Sequence, residues 1–319
     1  MKTGIFGTCV FAPRMAAPYM AVLIISVLLF MTNPLYALDI GIIGGAGNLA
    51  FDPSLKTPLS DETNPKPFYP KLNPLVLATV SGESGFVTYG GGFERSPILR
   101  NRLFANIGID LTYFKVEAGP FIGIFNSKDE IFNPGFSAGM RLEIPGIIFA
   151  SVRASSSLGN ALATTGSYTQ KTGELTAGFW VPHVICSANL LTHNYALKEK
   201  PNLTIEDSLT RYFFRADVFM KNIPFTIKVD IGYALLKRSY YSQTITGTLP
   251  PDLILSTDVQ GDEFKFIYLG LEGVYAFNPK IKLFLSGEMP VYSWSTPKMK
   301  NPKKGTFLFQ AMGGVILSF

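Results

Sequence analysis

Beyond about residue 38 the apolar residues fall in pieces of ten to fifteen residues, several of them with apolar side chains at every second position, and no apolar stretch there approaches the length of a spanning helix. Phe225, Ile227, Val229, Ile231, Tyr233 and Leu235 alternate with Thr226, Lys228, Asp230, Gly232 and Ala234. Tyr212, Phe214, Ala216, Val218 and Met220 alternate with Arg211, Phe213, Arg215, Asp217, Phe219 and Lys221. The same rhythm runs through 103–112, 136–144 and 281–289. Successive side chains of a strand point to opposite faces, so a period of two puts one whole apolar face on each strand.

A soluble β-sandwich with one wet face is the rival explanation. Two observations weigh against it. One face is almost purely apolar over several strands, and the other carries charges of both signs in mid-strand. Charged residues make up only 16% of the chain and apolar ones 47%, against about 25% charged in an ordinary soluble domain. A strand that meets lipid on one face and a polar lumen on the other accounts for both.

Short and long connections alternate. Pro145-Gly146, Asn222-Ile223-Pro224 and Asn278-Pro279-Lys280 read as tight turns, where Pro and Gly pre-set the backbone angles. The spans 52–71, 126–134, 158–172, 198–207, 241–262 and 295–304 read as long polar loops. Strands are expected at 38–51, 72–81, 84–95, 102–112, 115–125, 135–144, 147–157, 173–182, 184–196, 208–221, 224–240, 263–277, 280–294 and 305–319. The expected fold is all-β: a closed antiparallel transmembrane β-barrel of about 14 strands. The count falls to 12 if 72–81 is loop and 102–125 one strand.

Residues 1–37 read as a cleaved export signal, leaving a barrel domain of 38–319. Lys2 and Arg14 supply positive charge, 20–31 is the apolar stretch, and Leu35-Tyr36-Ala37 is the cleavage site. The apolar stretch is short for a permanent anchor, which needs about 20 residues. The formal charge of +5 becomes +3 without Lys2 and Arg14. So mild a charge, with no basic aromatic face, argues against a nucleic-acid partner. Cys186 stands alone beyond the signal, so no internal disulfide is expected.

The final strand carries a resemblance. Phe307, Phe309, Ala311, Gly313, Val315, Leu317 and Phe319 share one face, opposed by Thr306, Gln310, Gly314 and Ser318. A terminal aromatic with apolar residues two and four places before it resembles the C-terminal assembly signal of bacterial outer-membrane β-barrel proteins. The resemblance implies export to the outer membrane and a lipid-bilayer environment. It also implies that the barrel-assembly machinery reads Val315, Leu317 and Phe319. The strand count is similar to that of the long-chain fatty-acid channels, which implies uptake of hydrophobic solutes. No N-terminal hatch segment of comparable length precedes the strand near Leu38.

The charges expected to face the lumen are Asp110, Lys115, Glu117, Arg141, Glu143, Arg153, Glu174, Arg211, Arg215, Asp217, Lys228, Asp230, Glu272, Lys282 and Glu288. Seven are positive and eight negative. A single-sign ring would impose ion selectivity, whereas a balanced set favours interlocked pairs or a weakly selective pore. Twelve aromatics are also expected inward: Phe104, Phe121, Phe125, Phe149, Trp180, Phe213, Phe219, Phe264, Phe266, Phe284, Tyr292 and Trp294. Tyr113, Tyr233, Tyr275 and Phe277 suit the interfacial girdles.

Three readings follow. The first is a porin-like passive channel or transporter for small solutes. The second is a non-enzymatic surface barrel, an adhesin or structural protein. The third is uptake of hydrophobic solutes. The basic run Lys298, Lys300, Lys303 and Lys304 reads as a solvated loop or a site for polyanions. No cofactor, metal motif or nucleotide loop is visible. Of the two histidines, His183 sits in a turn, and His193 shares a face with Ser187 and Asn189, so no enzyme activity is expected.

Overall fold

In a computed structural model, residues 37–53, 68, 72–159, 165–220, 223–246, 254–294 and 307–319 are described. The side chains of 37, 242–246 and 254–260 lie outside that description. Residues 1–36 of the expected signal, most of the span 52–71 and the lysine-bearing loop also lie outside it.

The described chain forms fourteen strands: β1 (Ala37–Gly47), β2 (Asn73–Ser84), β3 (Val87–Ser96), β4 (Arg100–Leu111), β5 (Phe114–Ile124), β6 (Phe132–Ile144), β7 (Ile148–Ser157), β8 (Tyr168–Val181), β9 (Val184–Lys200), β10 (Leu203–Phe219), β11 (Phe225–Thr246), β12 (Ile254–Asn278), β13 (Ile281–Trp294) and β14 (Gln310–Ser318). Each pairs antiparallel with its chain neighbours, and β1 pairs with β14, closing the sheet into a barrel. Closure removes the open edges that a flat sheet would expose.

The twelve-strand alternative is overturned. Residues 73–84 pair along both β1 and β3, and 102–125 is split by the turn at Thr112-Tyr113. Two expected loops are also corrected. The span 198–207 is mostly strand, because β9 and β10 continue to Lys200 and resume at Leu203. The span 241–262 contains the far ends of β11 and β12, paired from Thr246↔Ile254 downward.

The connections sort by end. At one end, called here the short-turn end, Gly85 and Gly146 take φ of +61° and +74°. L side chains rarely adopt that left-handed region, so glycine is the natural residue there. His183 also turns in the left-handed region, at φ +68°. The other, long-loop end carries the connection between β1 and β2. Leu49, Ala50, Phe51 and Phe68 of that connection are buried, each exposed by 3% or less.

The register sets every facing. Ile231, Tyr212, Phe214 and Leu271 lie outward and are half-exposed or more. Rows of outer aromatics bracket this apolar band. Tyr212, Tyr233, Trp294 and Tyr292 form one row through ring contacts of 5.1–6.5 Å. Phe225, Tyr275 and Phe277 form the other, nearer the short turns. Tyr233 pairs with Ile267, eight residues from Tyr275 on β12, which is about 26 Å along a strand. Tilted by roughly 35–45°, such a segment rises about 20 Å, most of the apolar band of a membrane barrel, which is about 25 Å tall.

Tyr292 and Trp294 were expected inward and lie outward. Pro290 pairs with Tyr268 but Tyr292 pairs with Ile267, so Val291 is an extra residue. A one-residue bulge swaps the faces of everything beyond it. Proline lacks the ladder-donating N–H, which suits it to a bulge. Phe125 also departs from the inward set. It leaves β5 with φ +52° and is exposed, packing against Phe132 at 5.8 Å.

Candidate functional site

The inner wall divides into two storeys. The lower storey, between mid-barrel and the short turns, is charged. Alternation brings the acids and bases of neighbouring strands side by side. Lys115 Nζ lies 3.1 Å from Asp110 on the adjoining strand. Arg153 pairs with Glu117, which also accepts from Asn106 Nδ2 at 3.1 Å. Arg141 Nε donates to Glu143 at 2.6 Å, and its guanidinium lies 4.4 Å from the Phe149 ring centre.

On the wall formed by β10 to β13, Arg215 grips its register partner Asp230 with two bonds of 2.7 Å, a bidentate geometry that fixes both groups. Lys228 pairs with Glu272 at 2.6 Å. Arg211 donates to both oxygens of Glu288, at 2.8 and 2.5 Å, and Gln310 Nε2 donates to the same carboxylate at 2.8 Å. Asp217 lies opposite Lys228 in register, with its Oδ1 buried and without a hydrogen bond. Glu174 and Lys282 also face inward, and the described residues offer neither an ion pair.

Several inner aromatics serve as platforms for these guanidinium groups. Arg102 lies over Phe104 and Phe121, Arg215 over Phe213, and Arg211 over Tyr268, at 5.1–5.9 Å. Between the walls lies a cavity of about 740 Å³, lined by Asp39, Thr79, Glu94, Arg102, Lys115 and Glu117 among others. A second space of about 320 Å³ adjoins Arg211, Arg215, Asp230 and Glu288.

The upper storey, at the long-loop end, is apolar. Leu49, Phe51 and Phe68 fold inward against Leu209, Leu236, Phe264, Phe266 and Tyr268. Ile98, in the connection between β3 and β4, and Leu308 join them. Neighbouring Leu99 is fully buried, and its carbonyl accepts from Gln170 Nε2. Asn48 ties the first connection to the chain before β14. Its Nδ2 donates to Phe307 O at 2.7 Å, and its Oδ1 accepts from Phe309 N at 2.9 Å.

Asp207 anchors two arginines in this apolar layer, with Arg100 Nη2 3.9 Å from its carboxylate. Arg238 donates through Nε and Nη2 to Asp207 at 2.5 and 2.7 Å, and through Nη1 to the Asp52 carbonyl at 2.5 Å. Asp262 is buried beside it in register. Burial pushes the phenol of nearby Tyr240, above the outer aromatic row, up to about 12.

Sequence reading missed Arg238, Asp207 and Asp262, and also the pair of Arg102 with Glu94 at 2.8 Å. The signal for the first two was present. Ile205, Asp207 and Leu209 share a face, as do Leu236, Arg238 and Tyr240.

Two groups do not assemble into a catalytic site. Ser187 and Asn189 bond to one another at 3.0 Å. His193 lies six residues beyond Ser187 on the same strand, about 20 Å away and out of hydrogen-bond reach. No cluster of three or more metal-ligating side chains occurs among the described residues.

On β14, Val315 pairs with Ile42 and Leu283, and Leu317 with Ile40 and Ile281. Phe319 exchanges backbone bonds with Leu38 at 2.9 and 3.3 Å, its side chain exposed outward. The terminal strand is therefore the one that closes the barrel.

No family model matches the chain, and no curated protein matches it. Solved structures resemble it at the level of fold. An in-vitro folded OmpT, an outer membrane protein of Vibrio cholerae, covers 91% of this chain and 99% of its own at TM-score 0.40 and 9% identity. A porin covers 88% and 100% at TM-score 0.41 and 9% identity. A bacterial polysaccharide outer membrane secretin covers 89% and 98% at TM-score 0.42 and 10% identity. The closed antiparallel barrel is read from this chain's own strand pairing, and its function has to be argued from its own residues.

Proposed function

We propose that the chain is a porin-like passive channel of the bacterial outer membrane, exported by its first 37 residues, with the short turns toward the periplasm. The observation that carries this reading is the polar lower storey, where a cavity of about 740 Å³ remains between the walls. Barrels widen with strand number, and about eight strands are already filled by side chains. Fourteen leave room that these paired charges do not fill. Because bases and acids neutralise one another, the lumen suits small polar solutes with weak charge preference.

Reconstituted protein in a planar bilayer tests this. Stepwise conductance that depends little on the sign of the salt's ions is expected. Absence of steps at any voltage would overturn the channel reading. It would favour the second, a non-conducting surface barrel, which the apolar cluster across the long-loop end supports. The bilayer outside and the assembly machinery acting on Val315, Leu317 and Phe319 belong to either reading.

A further inference from the structure

Opposite charges that face each other directly across two strands ordinarily pair, since their Cβ atoms stand about 5 Å apart. Arg153 on β7 and Glu174 on β8 are such neighbours in register, and they do not pair. Arg153 reaches the other way, over the width of β6, and its Nη2 donates to Glu117 on β5. Gly139 makes that reach possible. It lies between the two in register, and a Cβ there would stand 3.3 Å from Glu117 Oε1 and 3.4 Å from Arg153 Cγ. A side chain at that position would press on the bridge.

Glu174 is left as an acceptor without a donor. Its other register neighbour is Leu191, which has no polar group to offer. Among the described residues Glu174 has neither an ion pair nor a hydrogen bond. Arg153 in turn spends only Nη2 on Glu117, and its side chain is 57% exposed to the lumen. Beside both groups lies a space of about 260 Å³, which Lys115, Arg141 and Ser151 also line. Lys115, Glu117 and Arg153 are wall to this space and to the larger cavity alike.

The charges around this space reject simple ions of either sign. Lys115 and Arg141 are held by Asp110 and Glu143. An anion drawn to Arg153 meets the open carboxylate of Glu174, and a cation drawn to Glu174 meets Arg153 and Arg141. Like-charge juxtaposition of this kind discriminates as strongly as attraction does. A molecule that carries both signs a few bonds apart satisfies both groups and meets neither repulsion. We propose that Glu174 and Arg153 form a subsite for small zwitterions of the amino-acid type, the ammonium on Glu174 and the carboxylate on the remaining N–H groups of Arg153. The subsite rests on the channel reading for the entry of its solute, and names the solute class of that same lumen.

Full-length protein refolded into phosphatidylcholine vesicles tests this at pH 7. Initial uptake of radiolabelled serine is compared with that of its uncharged isomer glyceramide, each well below saturation and after subtraction of protein-free vesicles. Serine should enter about tenfold faster, the factor that one charge-assisted bond supplies. Glu174→Gln breaks no pair of the native fold, and should bring the ratio to about one with glyceramide uptake unchanged. Glu117→Gln should do the same without altering the subsite, because the released Arg153 turns to Glu174 and closes it. A ratio near one in the native protein, or an unchanged ratio in either variant, overturns the proposal.

Serinol, which keeps the ammonium of serine and lacks the carboxylate, should enter several-fold more slowly than serine. Equal uptake would make this a subsite for simple cations and overturn the assignment. Entry of neither serine nor glyceramide refutes the channel reading, which is a separate result. The subsite is then decided by equilibrium dialysis of radiolabelled serine against the detergent-solubilised full-length protein. Binding should fall about tenfold in Glu174→Gln, and equal binding overturns the proposal.

Discussion

The same strands obey opposite rules at their two ends. Between the aromatic rows, β10, β11 and β12 put Phe214, Ile231 and Leu271 outward and Arg215, Asp230 and Glu272 inward. Beyond the outer row the polarity inverts. Glu206, Lys237, Glu263 and Lys265 lie outward, while Leu209, Leu236, Phe264 and Phe266 lie inward. Period two persists throughout, and only the identity of the solvent on each side changes. Within the bilayer, lipid is outside and water inside. Above it, water is outside and the folded-in connection inside. The difference teaches that alternation reports strand, whereas its sign reports what each face touches.

Breaking the Arg238–Asp207 pair of the upper storey should have the largest effect. Arg238→Ala leaves Asp207 buried and releases the Asp52 carbonyl. A loss of about 3 kcal/mol, the low end for a broken buried pair, is expected because Arg100 stays 3.9 Å from Asp207, read as a shifted urea midpoint for refolding into vesicles. A loss under about 1 kcal/mol would mean that the upper storey is as wet as the lower.

The next test crosses the wall in mid-membrane, where Leu271 faces lipid midway between Ile267 and Tyr275 and Glu272 beside it faces inward. Leu271→Arg should cost about 2–4 kcal/mol, the depth-dependent penalty for a cation on the lipid face. An inward cation such as Arg215 is tolerated because it pairs with Asp230 across the register. The smallest effect should come from the lower storey. Glu272→Gln unpairs Lys228 in a partly hydrated site, and a stability change within about 1 kcal/mol is expected. Its consequence should appear in the reversal potential of a salt gradient, displaced toward anions. No displacement would indicate that the conducting path avoids β11 and β12.

How much was legible follows from the same inversion. Most of the strands and of the outward set between the aromatic rows were readable because lipid imposes an apolar face, while alternation alone leaves the choice between 12 and 14 strands open. The far ends of β9 to β12 read as polar loops, since their outward residues are polar and their inward apolar residues looked like scatter. Tyr292 and Trp294 were placed on the wrong face because one unpaired residue, Val291, reverses parity without leaving a strong local mark. Phe149 and Trp180 looked like a greasy track, but Arg141 lies over both.

The sequence by itself determined the strand period and, between the aromatic rows, most of the side chains that meet lipid, because these depend on neighbours two residues apart, whereas strand pairing decided between 12 and 14 strands. Only closure decided who pairs with whom. Arg211 meets Glu288 across 77 positions of chain, and Arg238 meets Asp52 across 186. Nor does alternation announce that the first connection turns inward. That outcome depends on an apolar slot assembled from strands far apart in sequence, which exists only once the cylinder has closed.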